Sequence, residues 1–203
     1  MITLIGHGYV GKHIKKELEH QNIHHNWIGH TQSVPAGTTA IINAAGYTGS
    51  PNVDACEQYK QETINGNIVF PLQLEAANPV TPIVHITSGC VYTGYKPGGW
   101  TEEDDPNFDF NNGSFYSGSK ALFQTLMVPY LDKSYLLRIR MPFGDEHEPK
   151  NIFTKLSNYQ KLIDYENSFS YVVDVAKVAV YFALNKPVGG IYNVCNPGSV
   201  TTK

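Results

Sequence analysis

The chain has 203 residues, of which 41% are hydrophobic and 16% are charged, and its formal net charge is −3 at pH 7. These values predict a soluble globular protein with a sizeable core, and the lack of a basic excess argues against nucleic acid as a partner. No apolar run is long enough to span a membrane, and the N-terminus predicts a strand rather than a signal peptide. Three widely spaced cysteines and no Cys/His cluster favour a cytoplasmic protein without disulfides or a metal site.

The first motif follows an apolar run at residues 1–5, which predicts a buried strand. The next six residues read Gly-x-Gly-x-x-Gly, and residues 12–19 have the spacing of a helix. In this order, the first glycine permits a tight turn, the second lets a pyrophosphate approach the backbone, and the third packs the helix on the strand. The predicted dinucleotide contacts are Gly6, Gly8, Tyr9, Val10 and Gly11.

A second strand is predicted at residues 25–28, and its end bears on the choice of cofactor. An NAD-preferring site usually has an acidic residue there, on the ribose hydroxyls. Residues 29–32 are Gly-His-Thr-Gln, so His30 is the candidate contact and no carboxylate excludes a 2′-phosphate. The sequence therefore predicts NADPH or NADH as the cofactor and favours NADPH.

A third strand is predicted at residues 39–43, only about ten residues after the second. A full strand–helix crossover needs at least about ten to twelve residues for itself, so one strand and its helix are expected to be missing. Small residues close this third strand, as expected where backbone lies against the adenosine half of a cofactor. The predicted contacts are Asn43, Ala44, Ala45 and Gly46.

The central strand is predicted at residues 82–88 and ends in hydroxyl side chains. Two helices are predicted before it, at residues 51–59 and 62–77, with a break at Pro71. Ligands of open parallel sheets bind at the carboxyl ends of the strands. Ser88 is therefore a candidate to hydrogen-bond a substrate oxygen, although a turn-forming hydroxyl is the simpler alternative.

Tyr116 precedes Lys120 by four residues, so a helix would place both side chains on one face. The ammonium would favour the phenolate of a tyrosine whose ordinary pKa is roughly 10, and the pair could then donate a proton near neutral pH. Alone, the pair is weak evidence, and an ordinary surface Tyr and Lys one helical turn apart would be the better interpretation. The predicted helix spans residues 117–130, and the polar loop before it, residues 93–114, is long enough to be functional or mobile.

Later elements are predicted as a strand at residues 135–140, helices at 151–159 and 172–184, and a strand at 190–194. The alternation predicts an α/β protein with a Rossmann-like, doubly wound parallel sheet. We divide it into an NAD(P)-binding domain at residues 1–145 with the Tyr-Lys helix, and a small substrate-binding part at 146–203. The second part is interleaved with the last elements of the sheet and is expected to be incomplete at its C-terminus.

In their order, the glycine motif, Asn43-Ala44-Ala45-Gly46, Ser88 and Tyr116-x-x-x-Lys120 resemble the extended short-chain dehydrogenase/reductase superfamily. More narrowly, the chain resembles the bifunctional 3,5-epimerase/4-reductases that form nucleotide-linked L-rhamnose. The segments that carry this resemblance are residues 43–54, 56–57, 114–117, 138–142, 153–155 and 190–193.

The resemblance implies a role for several residues. Ser88, Tyr116 and Lys120 take the positions of the catalytic triad, and Cys90 that of a base for epimerisation. Lys155 matches its partner acid, with His147 as a rival. Asn67 matches a helix residue that helps to hold a water and the lysine, while Arg140 and Pro142 fall at cofactor contacts. Tyr171 and Asp174 are candidate substrate contacts, although an acid early in a helix is more often a cap.

The activity implied is NAD(P)H-dependent conversion of a UDP- or dTDP-linked 4-keto-6-deoxyglucose to the L-rhamnose nucleotide. Two alternatives remain open: a 4-reductase without epimerase activity, and an NAD(P)-binding regulatory module without turnover. Superfamily members often dimerise through the Tyr-Lys helix, so a homodimer is expected. Its apolar face here would comprise Leu122, Phe123, Leu126 and Met127.

Overall fold

The computed structural model describes residues 1–111, 113–162 and 164–201. In chain order its strands are β1 (Ile2–Ile5), β2 (His25–Ile28), β3 (Ala40–Asn43), β4 (Ile83–Ser88), β5 (Tyr135–Ile139), β6 (Pro142–Phe143), β7 (Ser170–Tyr171) and β8 (Gly190–Val194). The central sheet has the order β2-β1-β3-β4-β5-β8, and every neighbouring pair is parallel. The order reverses between β1 and β3, which is where open α/β sheets bind their ligands. The predicted Rossmann-like fold is confirmed.

Helices cover both faces of this sheet. In chain order they are α1 (Tyr9–His20), α2 (Lys60–Ile64), α3 (Phe70–Ala77), α4 (Phe115–Leu126), α5 (Ile152–Ser157) and α6 (Val172–Asn185). On one face, α1 and α6 bury Leu18 and Val180 in a cluster with Ile42 of β3. On the other face, Leu74 of α3 packs with the neighbouring Ile41. Adjacent residues of β3 thus serve opposite faces, as the two-residue repeat of a strand requires.

The connection between β2 and β3 is short, as the sequence predicted. Residues 29–39, all of which are described, form neither a helix nor a strand. Consequently β2 lies at the edge of the sheet beside β1, and no strand of the described residues pairs with its outer side. The expected loss of one strand–helix pair is confirmed.

The predicted helix at residues 62–77 is built differently from the expectation. It starts two residues earlier, in α2, and passes through a π-helical turn at Asn65–Val69 before α3. Pro71 is therefore the second residue of α3, directly after the π-helical turn. π-helical turns are rare in proteins, but those that occur inside α-helices are often at functional sites. This one contains Asn67.

Two further helix predictions need correction. Residues 51–59 form only a 3₁₀ turn at Val53–Glu57 rather than a helix. The Tyr-Lys helix starts before the predicted residue 117, because the Ser114 side chain caps it by accepting from the Ser117 N–H at 3.3 Å. It also ends earlier, at Leu126, since Pro129 has no N–H to continue the ladder.

Of the four apolar residues proposed for dimerisation, two are buried in the core and two remain exposed. Phe123 and Met127 are 2% and 0% exposed and belong to the core with Leu136 of β5, so they are unavailable to a partner. Leu122 and Leu126 remain 38% and 40% exposed. A homodimer through α4 stays a prediction, and it would rest on a smaller apolar surface than the sequence suggested.

Within the described ranges, no helix combines the length and apolar character that crossing a bilayer requires. The same residues contain no group of three or more His, Cys, Asp or Glu side chains arranged to hold a metal ion. Cys56, Cys90 and Cys195 are all free thiols.

A buried polar network joins β3, β4 and α3. The Asn43 Oδ1 accepts the Ala45 N–H at 3.1 Å, so its Nδ2 faces the Nδ1 of His85 at 3.1 Å as a donor. The other ring nitrogen then donates to the Glu75 Oε1 at 3.0 Å, and Glu75 also accepts from Lys133. Protonation of the His85 Nδ1 would place two hydrogen-bond donors, this N–H and the Asn43 Nδ2, opposite each other. Burial lowers the pKa of His85, which is consistent with a neutral ring.

We expect this network to make the fold sensitive to acid. Because the pKa of His85 is lowered from 6.5 in the folded chain, the unfolded chain binds the extra proton below that pH. The contribution to stability is therefore full above pH 6.5 and falls as the pH drops towards the folded pKa, by at most about 1.4 kcal/mol per pH unit for one proton. This pH-dependent contribution can be measured by comparing the free energies of unfolding in urea of wild type and His85→Gln.

The free-energy difference between these two proteins should shrink between about pH 7.5 and about pH 5.5. His24→Gln, at an exposed position, is the matched control and should unfold in parallel with wild type at every pH. A difference between wild type and His85→Gln that is constant over this range would show that His85 is not held neutral.

Candidate active site

The glycine turn between β1 and α1 has one open position and two crowded ones. A Cβ on Gly6 would lie 2.6 Å from the Ala45 N, and a Cβ on Gly11 would lie 2.2 Å from the Gly6 O. A Cβ on Gly8 would meet no described atom within 4 Å. No described side chain caps α1 and no acidic residue occurs in its first turn, so its N–H groups remain for an anion. The turn fits a pyrophosphate.

We expect Gly8→Ala and Gly11→Ala to fail in different ways. Gly8→Ala should keep wild-type stability but lose at least about tenfold in NAD(P)H affinity, because the added methyl occupies the approach of the pyrophosphate. Gly11→Ala should lose about 1–3 kcal/mol of stability without cofactor, because the methyl collides with backbone. Urea unfolding and fluorescence titration separate the two. Unchanged NADPH affinity in Gly8→Ala would contradict the assignment of this turn.

The other predicted cofactor contacts surround this turn unevenly. The backbone of Ala44 and Ala45 lies directly against Gly6, so the end of β3 and the glycine turn form one surface. His30 is exposed beyond the end of β2, with its ring edge-on to Phe70 at 5.8 Å.

Tyr9 and Val10, also predicted to contact the cofactor, turn away from this surface. Val10 packs against the core of the α1 and α6 face. Tyr9 is buried, and the Tyr9 Oη would lie 2.7 Å from a Cβ at Gly144. Burial raises the pKa of Tyr9 to about 12, so its phenol stays protonated at neutral pH.

Ser88, Tyr116 and Lys120 meet at the carboxyl end of the sheet. Ser88 is the last residue of β4, and its hydroxyl interacts with the Tyr116 phenol and acts to lower its pKa. The Lys120 Nζ lies 5.8 Å from the centroid of the Tyr116 ring. It also lies 3.4 Å from where a Cβ of Gly46 would stand, at the cofactor-facing turn. The fold therefore gathers the three predicted triad residues beside the predicted dinucleotide surface.

Burial, rather than the neighbouring ammonium, controls the charge of this pair. It raises the pKa of Tyr116 above its usual range, although the hydrogen bond with Ser88 and the charge of Arg140 act in the opposite direction. Burial also lowers the pKa of Lys120 to about 8. The sequence-based expectation of a phenol made acidic by Lys120 is therefore wrong for this state. The phenol is protonated at neutral pH, as a proton donor must be.

Asn67 supports this pair from the π-helical turn. Its Oδ1 accepts the Tyr47 N–H at 2.9 Å, and its Nδ2 donates to the Tyr47 C=O at 2.9 Å. The same Nδ2 donates to the Ser119 Oγ at 3.2 Å, next to Lys120 on α4. Asn67 thus ties the segment after Gly46 to the Tyr-Lys helix.

Cys90 lies two residues after Ser88 and is partly buried. Its N–H donates to the Ser88 Oγ at 3.1 Å, and its Sγ accepts from a guanidinium N–H of Arg140 at 2.6 Å. The remaining Arg140 donors reach the Asn167 Oδ1, at 3.1 and 2.6 Å. Arg140 was predicted as a cofactor contact, and the structure gives its side chain these other partners. Neither Asn167 nor the Cys90–Arg140 contact was predicted.

The remaining predicted residues lie around the same edge. Lys155 is on α5 and partly buried, and burial lowers its pKa. In the described part of the chain, its side chain forms no hydrogen bond with Cys90 or Tyr116. His147 is exposed, and Pro142 begins β6, which pairs with β7 at Ser170.

A cavity of about 990 Å³ opens beside Gly89 and Arg140, within the size range of small-molecule sites. One wall is the loop after β4, which the sequence predicted to be functional or mobile. Asn112 of that loop lies outside the described residues. Tyr92 and Trp100 stack with centroids 4.7 Å apart and planes 3° apart, and the buried Arg138 lies 5.1 Å from the Tyr92 ring. This stack joins two parts of the loop, and the sequence analysis did not predict it.

Comparisons with known proteins agree with this geometry. The family model described as RmlD substrate binding domain matches residues 4–202. A bifunctional dTDP-4-dehydrorhamnose 3,5-epimerase/dTDP-4-dehydrorhamnose reductase of Arabidopsis thaliana is 34% identical over 96% of this chain and 69% of its own. A trifunctional UDP-glucose 4,6-dehydratase/UDP-4-keto-6-deoxy-D-glucose 3,5-epimerase/UDP-4-keto-L-rhamnose-reductase of the same plant is 37% identical over 80% of this chain.

This chain spans only 25% of that trifunctional relative. Among solved structures, a UDP-rhamnose synthase of Acanthamoeba polyphaga mimivirus superposes with a TM-score of 0.86 at 27% identity. The match covers 99% of this chain and 77% of that one. The family match over nearly the whole length and the shared fold identify the chain as a member of the RmlD substrate binding domain family, among the short-chain-type NAD(P)-dependent reductases and epimerases.

Proposed function

We propose that this chain reduces the 4-keto group of a nucleotide-linked 4-keto-6-deoxy sugar with NAD(P)H, after inverting carbons 3 and 5 of the same sugar. The product would be a UDP- or dTDP-linked L-rhamnose. The observation that carries the proposal is the meeting of Ser88, Tyr116 and Lys120 beside the glycine turn, with Cys90 two residues further on. The names of the relatives support the same pair of reactions.

The cofactor site comprises the glycine turn, the end of β3 and Lys120. Gly8 leaves room for the pyrophosphate, and the first N–H groups of α1 would hold its charge. When bound, NAD(P)H supplies the hydride that reduces the carbonyl carbon. The missing acid at the end of β2 tolerates a 2′-phosphate, which favours NADPH.

Tyr116 would donate the proton that the carbonyl oxygen receives during reduction. Its raised pKa keeps the phenol protonated, and the Ser88 hydroxyl orients it by a hydrogen bond. Lys120, with a pKa lowered to about 8, is still mostly charged at neutral pH and can stabilise the phenolate left behind.

Epimerisation requires a base on one face of the sugar and an acid on the other, because the 4-keto group acidifies the neighbouring carbons. We assign the base to Cys90, whose sulfur lies at the same strand end as the triad. The acid would be Lys155, since burial lowers its pKa and makes it a better proton donor than an exposed lysine. His147 is exposed.

The test is a single incubation of the purified protein with UDP-4-keto-6-deoxyglucose and NADPH in deuterated water. Loss of NADPH absorbance reports reduction, and product mass reports exchange. Oxidation of NADPH with two deuterium atoms at carbons 3 and 5 would support both activities in one chain. The dTDP-linked substrate, tested in parallel, decides the nucleotide.

Oxidation without deuterium would reduce the proposal to a 4-reductase and remove Cys90 and Lys155 from their roles. NADPH binding without any oxidation would favour the non-catalytic binding module instead. Failure to bind NADPH at all would contradict the assignment of the glycine turn.

A further inference from the structure

Arg138 of β5 is only 1% exposed, yet its buried guanidinium is incompletely paired. Its Nε donates to the Gln124 Oε1 at 2.8 Å, and its Nη1 donates to the Thr101 O at 3.3 Å. The Nη2 is also buried and has no hydrogen-bond partner among the described residues. Burial lowers the pKa of Arg138, and the carboxylates of Glu102 and Asp104 offset only part of this effect. Because a buried charge with an unpaired donor costs stability, packing alone does not explain an arginine here.

The Gln124 end of this contact belongs to the helix that carries the triad. Tyr116, Lys120 and Gln124 follow one another at intervals of four residues along α4, and all three are buried. This spacing places them on one face of the helix. Arg138 therefore binds the helix face that presents the proton donor, one turn beyond Lys120.

The other end of the contact belongs to a loop, residues 92–107, that is closed on itself. The Asn107 Oδ1 accepts the Thr93 N–H at 2.8 Å, and the Asn107 Nδ2 donates to the Thr93 O at 3.0 Å. Within the loop, Tyr92 stacks on Trp100. A compact loop of this kind keeps its own shape, so its position depends on its links to the rest of the protein.

The side-chain links of this loop lead in different directions. Arg138 bonds the Thr101 O and lies 5.1 Å from the centroid of the Tyr92 ring. The Glu102 Oε1 accepts the Asn193 N–H of β8 at 2.7 Å. Arg138 thus joins the loop to the catalytic helix, whereas Glu102 joins it to the edge of the sheet. The same loop lines the cavity of about 990 Å³ described above.

We propose that Arg138 is a positioning residue that sets this wall of the substrate cavity relative to the Tyr-Lys helix. This rests on the proposed function, with the nucleotide sugar bound in that cavity. Since Gln124 and the loop hold the guanidinium, Arg138 acts on the substrate through the wall rather than as its ligand. Its loss should weaken substrate binding and leave NADPH binding and the reduction step in place.

The test measures KM and stability in one set of variants. Arg138→Met/Gln124→Leu replaces both partners by apolar side chains, an exchange that is often neutral or stabilising. We expect its KM for UDP-4-keto-6-deoxyglucose to rise at least about fivefold, with kcat and the NADPH Kd within about twofold of wild type. Its urea midpoint should equal or exceed that of wild type. Gln124→Glu keeps an acceptor for Arg138 and should retain the wild-type KM.

The matched control is Lys133→Met, which removes a positive charge from the buried Glu75 outside the cavity. It should lower the urea midpoint, because Glu75 loses its partner, and leave KM unchanged. A substrate-free readout is hydrogen exchange of the 92–107 loop, followed by mass spectrometry. Exchange there should become at least about fivefold faster in Arg138→Met/Gln124→Leu, while that of β1 and β4 stays as in wild type.

An unchanged KM in the folded double variant would overturn the inference. A lowered urea midpoint with faster exchange throughout the protein would also overturn it, since Arg138 would then only stabilise the fold. If the double variant does not fold, Gln124→Leu decides by the same measurements. Faster exchange confined to the loop, in a protein whose wild type turns over neither the UDP- nor the dTDP-linked sugar, would keep the link and refute the proposed function instead.

Discussion

Tyr116→Phe is expected to lower the rate of NADPH oxidation by roughly 10²–10⁴-fold, the usual contribution of a positioned proton donor. The substitution removes only the phenol oxygen, which Ser88 orients and which burial keeps protonated. The ring remains to pack in the core, so NADPH affinity and the urea midpoint should stay within error of wild type. Steady-state oxidation with saturating 4-keto sugar and a separate NADPH titration measure both quantities.

The matched control is Tyr181→Phe, because Tyr181 is 55% exposed on α6 and plays no part in the site. Its oxidation rate should equal that of wild type. A Tyr116→Phe protein that retains more than about a tenth of the wild-type rate would exclude the phenol as the main proton donor.

Cys90→Ala is expected to abolish deuterium uptake at carbons 3 and 5, by roughly 10²–10⁴-fold, while reduction of a substrate already inverted at both carbons continues. The reason is that Cys90 contributes its sulfur to proton removal, whereas reduction uses Ser88, Tyr116 and Lys120. Product mass after incubation in deuterated water measures the first activity, and NADPH oxidation with the pre-inverted sugar measures the second.

Cys195→Ala, at the thiol that follows β8, controls for the loss of a cysteine and should retain both activities. Parallel loss of exchange and reduction in Cys90→Ala would indicate that the substitution damages the triad rather than removing a separate base. Exchange that survives in Cys90→Ala would transfer the role of base to another residue.

Much of the proposed cofactor surface could be predicted from the sequence, because each of its parts lies within a short run of residues. Gly6, Gly8 and Gly11 span one turn, and their backbone demands follow from the local strand–turn–helix order. Tyr116 and Lys120 are one helical turn apart, so their shared face follows from helix geometry alone. The missing strand–helix crossover also followed from the short loop between the second and third predicted strands.

The parts that could not be predicted depend on contacts between distant residues. The His85–Glu75–Lys133 network, the stack of Tyr92 on Trp100 and the π-helical turn have no periodic signature, since each forms only once the sheet and helices have packed. The direction of the Tyr116 pKa shift was predicted wrongly for the same reason. A pair on one helix face suggests attraction, but the depth of burial, which tertiary structure determines, controls the pKa.

The sequence by itself determined the fold class, because short-range geometry and residue chemistry suffice for it, and with the family resemblance it predicted the dinucleotide turn and the triad. Only the tertiary structure decided which partners the remaining side chains, such as Arg140, contact. Arg140 is 50 residues from Cys90 and 27 from Asn167 along the chain, and parallel strands bring them together at one edge. Side-chain partners at such separations are selected by packing, which no local pattern encodes.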